Sequence, residues 1–246
     1  MKRLMHAEWF RIVHSGFLVC IIFIVVLFPV VCSFSNPDWK YQTLSENFTA
    51  WATSISVFMP LAVGSIICAL ITMAYQNRTS YHEIMDGHSI HEILLSKVVL
   101  YSTMMTCGIA AIFTIYTGII AVNSGVGEMY NIPLRMFLFV IVTIHICIIS
   151  TLISTIVSIV TTSGIFSFVF LILRFFMVDC IAYVMAVSNP YYYSSLSNWF
   201  IMGQFSEIFT GNVNADLVLG VILSLEIESI MWYICAYLAL KRKAFK

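Results

Sequence analysis

Apolar residues in this chain come in long, almost unbroken runs rather than in alternating or heptad patterns. Six runs lie near 16–34, 53–74, 98–122, 134–158, 165–187 and 216–240. A hydrocarbon core about 30 Å thick is crossed by about 20 apolar residues rising about 1.5 Å each, so every run is long enough to span it. Backbone groups in lipid must find their partners within the segment, which makes the spans helices. The expected fold class is an all-α membrane protein with six transmembrane helices. No linker or composition shift divides the chain, so residues 1–246 read as one transmembrane domain.

Three segments depart from the plain apolar pattern. In residues 1–15, Met5, Trp9 and Ile12 fall at i, i+4, i+7 while Lys2, Arg3 and His6 lie elsewhere on the wheel. That pattern predicts a helix lying in the membrane interface before the first span. Residues 188–215 open with Ser188-Asn189-Pro190, a helix stop with turn chemistry, and continue through Tyr191, Tyr192 and Tyr193. Leu196, Trp199, Phe200 and Gly203 then recur at helical spacing, and Phe205 and Phe209 follow. Tyrosine and tryptophan favour the headgroup layer, which predicts an external re-entrant hairpin before the last span. The hairpin either anchors in lipid or handles a substrate.

The fourth span carries Ser150, Ser154 and Ser158 every four residues, beside a ridge of Thr143, Cys147, Thr151 and Thr155. Small residues at this spacing let helices approach closely. An intramolecular contact and a polar translocation path are the two readings.

The composition, 61% hydrophobic and 10% charged, fits membrane residence, since soluble domains carry about 25% charged residues. Net charge is zero, but its distribution is uneven. Lys2, Arg3, Arg11, Arg78, Lys97, Lys241, Arg242, Lys243 and Lys246 gather at one set of span ends. The other set has Lys40 and Arg135 among Asp38, Glu46, Glu128, Glu207 and Asp216. By the positive-inside rule both termini are expected in the cytosol. The C-terminal lysine cluster reads as a stop-transfer anchor rather than a nucleic-acid patch. The first apolar run lacks a small-x-small cleavage site and reads as a span, not a signal peptide. Seven cysteines lie within or beside the spans and form no C-x-x-C pair, so they read as packing residues.

Ionisable residues inside the spans are the first candidates for function. Arg174 and Asp179 fall in span five, Glu226 and Glu228 near the middle of span six, and His145 in span four. An ionised group at the bilayer centre costs about 2.5–3.5 kcal/mol, so each needs a partner, water or a proton. Arg174 and Asp179 are five residues apart and lie on different faces. Counted from the cytosolic span ends, Arg174 and Glu228 differ in depth by about 6 Å, so Arg174 is expected to pair with Glu226 or Glu228. His145 is expected to hydrogen-bond a neighbouring helix. No Ser/His/Asp or Cys/His set stands at a catalytic spacing, and no enzymatic activity of the chain itself is expected.

The second candidate is the segment between spans two and three, residues 75–97, with Glu83, Asp86, Gly87, His88, Ser89, Glu92 and Lys97. Three histidines beside three acids invite a metal, but H-E-x-x-H is missing and no cysteine accompanies them. A solvated turn that offers charges to a partner is the better reading.

The charged N-terminal helix, the six spans, the segment reading G-x-S-x-x-x-I-L-L-S-K at 87–97 and the aromatic hairpin together resemble type-2 ABC transporter permeases. The opening A-E-W-F-R at 7–11 is similar to the permease subunits of bacterial lantibiotic-immunity and related peptide exporters. The resemblance covers the whole chain in layout and rests in sequence on 7–11 and 83–97. It implies a bacterial plasma-membrane permease in which Glu83, Asp86, Gly87, His88, Ser89, Glu92 and Lys97 couple to a separate cytosolic ATP-binding subunit. The family often places an acidic residue nearer span two, where this chain has Gln76 and Asn77. ATP and Mg would sit on that partner, because no G-x-x-x-x-G-K-[ST] loop occurs here. This chain is expected to bind no cofactor and no nucleic acid. A second permease, identical or related, would complete the path for an amphipathic or antimicrobial peptide or a similar lipid-soluble substrate. The alternatives are a scaffold or sensor subunit without transport, and an ion-coupled carrier using the intramembrane charges.

Overall fold

The computed structural model describes residues 2–14, 38, 41–76, 83, 86–127, 131–161, 163–177, 181, 200–210 and 213–244. These residues are nearly all helical and include no strand. The helices are α1 (Lys2–His14), α2 (Leu44–Gln76), α3 (Ile90–Ser124), α4 (Ile132–Thr161), α5 (Gly164–Ile172), α6 (Ile201–Thr210) and α7 (Ala215–Ala244). A π-helical turn, Leu173–Met177, continues α5. Among the described residues, four segments are long and apolar enough to cross a membrane: Met59–Gln76, Ile90–Ser124, Ile132–Thr161 and Ala215–Arg242. The chain is therefore a multi-pass helical membrane protein by length and composition. The span expected at 16–34 lies outside the described residues, as does much of the one expected at 165–187, whose described part is a shorter apolar helix, Gly164–Met177.

Local chemistry fixes several helix ends. Ser89 caps α3 in a reciprocal box: its Oγ accepts from the Glu92 amide at 3.2 Å, and its own amide donates to Glu92 Oε2 at 3.2 Å. Gly87 turns the chain just before this cap with φ +85°, a conformation that glycine adopts without a Cβ penalty. The same carboxylate chemistry starts α2, where the Thr43 amide donates to Glu46 Oε2 at 2.7 Å. At α7, Asn214 Oδ1 accepts from the Leu217 amide at 2.8 Å.

Helix α4 is the axis of the bundle and packs against α2, α3, α5, α6 and α7. It is apolar over most of its circumference, as a largely buried helix is, with a ridge of small hydroxyl residues set into it. About 67% of its span is buried, against 22% for α7, which lies at the edge. Leu44 and Ser45 donate backbone hydrogen bonds to the Gly125 and Val126 carbonyls, so the start of α2 and the end of α3 share one face of the bundle. Thr72 and Ser158 meet at 3.1 Å near the C-terminal ends of α2 and α4, which makes those two helices parallel. Helix α3 runs antiparallel to both.

The small-residue ridge of α4 is a packing surface. Ser150, Ser154 and Ser158 are buried, as are Thr143, Cys147, Thr151 and Thr155. Ser158 also meets Ser167 of α5 at 3.3 Å, and Cys68 donates to the Gly164 carbonyl at 3.4 Å. A Cβ at Gly64 would stand 3.5 Å from Ser150 Oγ, which shows how closely α2 approaches the ridge. The threonines turn their hydroxyls onto their own helix, as Thr151 does onto the Cys147 carbonyl at 2.7 Å.

The structure changes the reading of two aromatic segments. Phe205 and Phe209 of α6 are core residues, packed with Phe48, Phe113 and Phe139. The Phe113 and Phe139 rings stack with centroids 4.0 Å apart. In α1 the face turned to the protein is Leu4, Glu8 and Ile12, while Trp9 and Phe10 are exposed. The expected stripe of Met5, Trp9 and Ile12 missed this because Glu8, the polar member of the buried face, has a charged partner waiting for it.

Candidate functional site

Two charged clusters occupy the bundle, one at mid-depth and one where α1 meets α3. The first is centred on Glu228, thirteen residues into the thirty-residue α7. His145 stands equally far into α4, also thirty residues long, so the two share a depth. Arg174 arrives from the π-helical turn after α5. Such turns re-aim one side chain out of helical register and recur at functional sites.

Arg174 Nε donates to Glu228 Oε1 at 2.5 Å, and its NH2 group lies against the same oxygen. Of the two acids expected to pair with Arg174, Glu228 is the one it meets. Trp232, one turn along α7, donates from Nε1 to Glu228 Oε1 at 3.3 Å. His145 Nε2 stands 3.4 Å from Glu228 Oε2, outside hydrogen-bond geometry, and its Nδ1 has no partner among the described residues. The His145 side chain is fully buried. The cluster thus joins α4, α5 and α7 through one carboxylate, and it leaves one imidazole face unspent. Glu226 is exposed on the outer side of α7 and has no hydrogen bond or ion pair among the described residues. Two helical residues differ by about 200° around the axis, so Glu226 and Glu228 face opposite ways. Asp179 lies outside the described residues.

The second cluster contains the N-terminal half of α3. Lys97 and Glu8 form an ion pair at 2.8 Å with both side chains only 1% exposed. Tyr101 donates to the other Glu8 oxygen at 3.1 Å. Glu83 approaches Lys97 at 3.8 Å, and the Lys97 ammonium lies 5.6 Å from the Tyr75 ring centroid. Four parts of the chain are gathered: α1, the end of α2, the segment around Glu83, and α3. Pairing inside the protein is what makes burial of these charges tolerable.

The seven residues expected to face a partner therefore divide. Glu83 and Lys97 are buried, and the Lys97 ammonium meets both Glu8 and Glu83. Asp86, Gly87 and Ser89 are exposed, and His88 and Glu92 are half-buried. His88 Nδ1 stands 3.9 Å from Glu92 Oε2, while His91 meets the Tyr233 hydroxyl of α7 at 2.5 Å. The two histidines thus turn to different neighbours, and no set of three metal-ligating side chains converges among the described residues.

Of the external hairpin, Tyr191, Tyr192, Tyr193 and Trp199 lie outside the described residues, and Phe200 is half-buried just before α6. Helix α6 is held into the bundle by polar contacts as well as by its phenylalanines. Gln204 donates to Ser224 Oγ at 2.7 Å, and Arg135 donates to the Ile208 carbonyl at 2.5 Å. Arg135, at the start of α4, is buried beside the last turn of α6, where the helix dipole favours a cation.

Reading the sequence alone missed Glu8, Tyr101, Trp232 and Tyr233. Glu8 carried a usable signal, being an acid at i+4 and i−4 from Leu4 and Ile12. No family model matches this chain, and no curated protein matches it.

Proposed function

We propose that this chain is the membrane-spanning permease subunit of an ATP-driven exporter, with six spans, an interfacial α1 and both termini in the cytosol of a bacterial cell. The observation that carries the reading is the buried Glu8–Lys97–Glu83 cluster beside an exposed turn. An ATPase that moves a membrane partner needs a rigid handle. Here Asp86, Gly87, His88, Ser89 and Glu92 form a capped, exposed turn. The buried lysine ties that turn's flank to α1 and to the long helix α3. A push on the turn is then delivered to a surface helix and a membrane-crossing helix together. ATP and Mg act on the partner subunit, and a second permease closes the path. The substrate is an amphipathic or antimicrobial peptide or a similar lipid-soluble molecule, met outside by Tyr191, Tyr192, Tyr193, Trp199 and Phe200, in the service of self-immunity or resistance.

A second reading is favoured by one specific observation. His145, Glu228 and Arg174 stand together at mid-depth, where ionisable groups in membranes often serve ion-coupled carriers. The two readings separate in proteoliposomes that hold the complex purified from its native membrane and a fluorescent amphipathic peptide. The exporter moves peptide only with ATP and ignores a proton ionophore. Movement without ATP that the ionophore abolishes identifies the carrier, and binding of a cytosolic partner with no movement identifies a scaffold.

A further inference from the structure

Helix α7 presents an outer face on which Leu219, Ile222, Ile227 and Ile230 are all exposed, as suits lipid. Glu226 interrupts that face and is itself exposed. It lies eleven residues from Ala215, so it sits about 16 Å along a helix crossing a core about 30 Å thick, close to the bilayer centre. A carboxylate there costs about 2.5–3.5 kcal/mol when left to lipid, and the short glutamate stem cannot carry it to either headgroup layer.

Among the described residues no cation pairs with it. Arg174 is committed to Glu228, Lys97 to Glu8, and Arg135 to the Ile208 carbonyl. Residues 15–37 and 178–199 contain no lysine or arginine, so neither stretch brings a countercharge. A second copy related by a twofold axis along the membrane normal would set Glu226 against Glu226 across a self-complementary contact, which places like charges together. A convex helix face, unlike a pocket, matches another helix, and polar groups that meet between membrane helices drive their association.

We infer that the Glu226 face of α7 is an intramembrane docking surface for a membrane-spanning helix of a different protein that carries a lysine or arginine at mid-depth. The inference rests on α7 alone and stands or falls separately from the exporter reading. The partner's cation neutralises Glu226, and its apolar residues cover Ile222 and Ile230 one turn to either side. Because Glu226 is exposed and makes no hydrogen bond or ion pair among the described residues, its replacement leaves the packing of the bundle alone.

The test places photoreactive benzoylphenylalanine at Ile222 or Ile230 in the chain expressed in its native host, irradiates the membranes and sequences the adducts. The expected adduct is a helix of another protein with a lysine or arginine within about one turn of the crosslinked residue. Glu226→Lys should lower its yield about ten-fold, the factor such an interhelical polar contact carries, and Glu226→Gln should lower it in the same direction. Changing the partner's cation to glutamate should restore the adduct in the Glu226→Lys chain. The inference is overturned by adducts to lipid only, to a second copy, to residues 15–37 or 178–199, to a peptide substrate, or to a helix without a cation. It is overturned equally by a yield that neither Glu226 substitution changes.

Discussion

At the scale of single residues, Glu228 sets the chemistry of the bundle interior. Its carboxylate receives Arg174 and Trp232 on one oxygen and faces His145 with the other. Removing one member of a buried pair leaves an uncompensated charge and costs about 3–5 kcal/mol, while neutralising both is close to neutral. Arg174→Gln alone is therefore expected to lower the thermal midpoint and the yield of folded protein in detergent. Arg174→Gln with Glu228→Gln is expected to recover most of both, and a double variant no better than the single would show that the pair does not hold the helices. This contact was legible in the sequence because depth counting from the span ends brings Arg174 and Glu228 to one level. Which glutamate faced inward was not legible. Glu226 and Glu228 are equally central in the run, and only the packing of α7 against α4 decides between them.

At the scale of elements, α1 and α3 behave as one piece because Lys97 is shared by Glu8 and Glu83. Lys97→Met should strand Glu8 at a cost of about 3–5 kcal/mol and release α1 from the bundle. The expected readout is faster protease cleavage within residues 2–14, reversed when Glu8→Gln is added; unchanged cleavage in Lys97→Met would show that α1 is held by packing alone. Sequence pattern located α1 but assigned its face by hydrophobicity, and the buried face turned out to contain an acid. Lys97 and Glu8 stand 89 residues apart, and nothing local marks them as partners. The packing of Phe205 and Phe209 was hidden for a related reason. Phenylalanine at helical spacing suits a headgroup layer and a protein core equally well, and only the tertiary contacts of Phe205 and Phe209 distinguish the two. The serine ridge of α4 was easier, because small residues every four positions suit close helix contact, one of the two readings the sequence offered.

At the scale of the whole molecule, the mid-depth charges and the end cluster lie at different levels of the same bundle and are linked through α3, α4 and α7. Tyr233 and His91 close the link between α7 and the start of α3 at 2.5 Å. Movement at the exposed turn before α3 thus has a continuous route of packed helices to Glu228, and the exporter reading requires that something bind this turn and move it. The membrane class and the long helices were readable from the apolar runs. The division of residues 83–97 into buried and exposed charges was not, since Glu83 and Asp86 look alike until their surroundings are known. Purifying the tagged chain from its native membrane in mild detergent and quantifying the proteins that accompany it shows whether an ATPase binds this turn. A near-stoichiometric ATPase subunit is expected, lost from the exposed variant Asp86→Arg while the chain itself stays folded. A folded chain with no ATPase, or an ATPase that Asp86→Arg retains in full, would contradict the exporter reading.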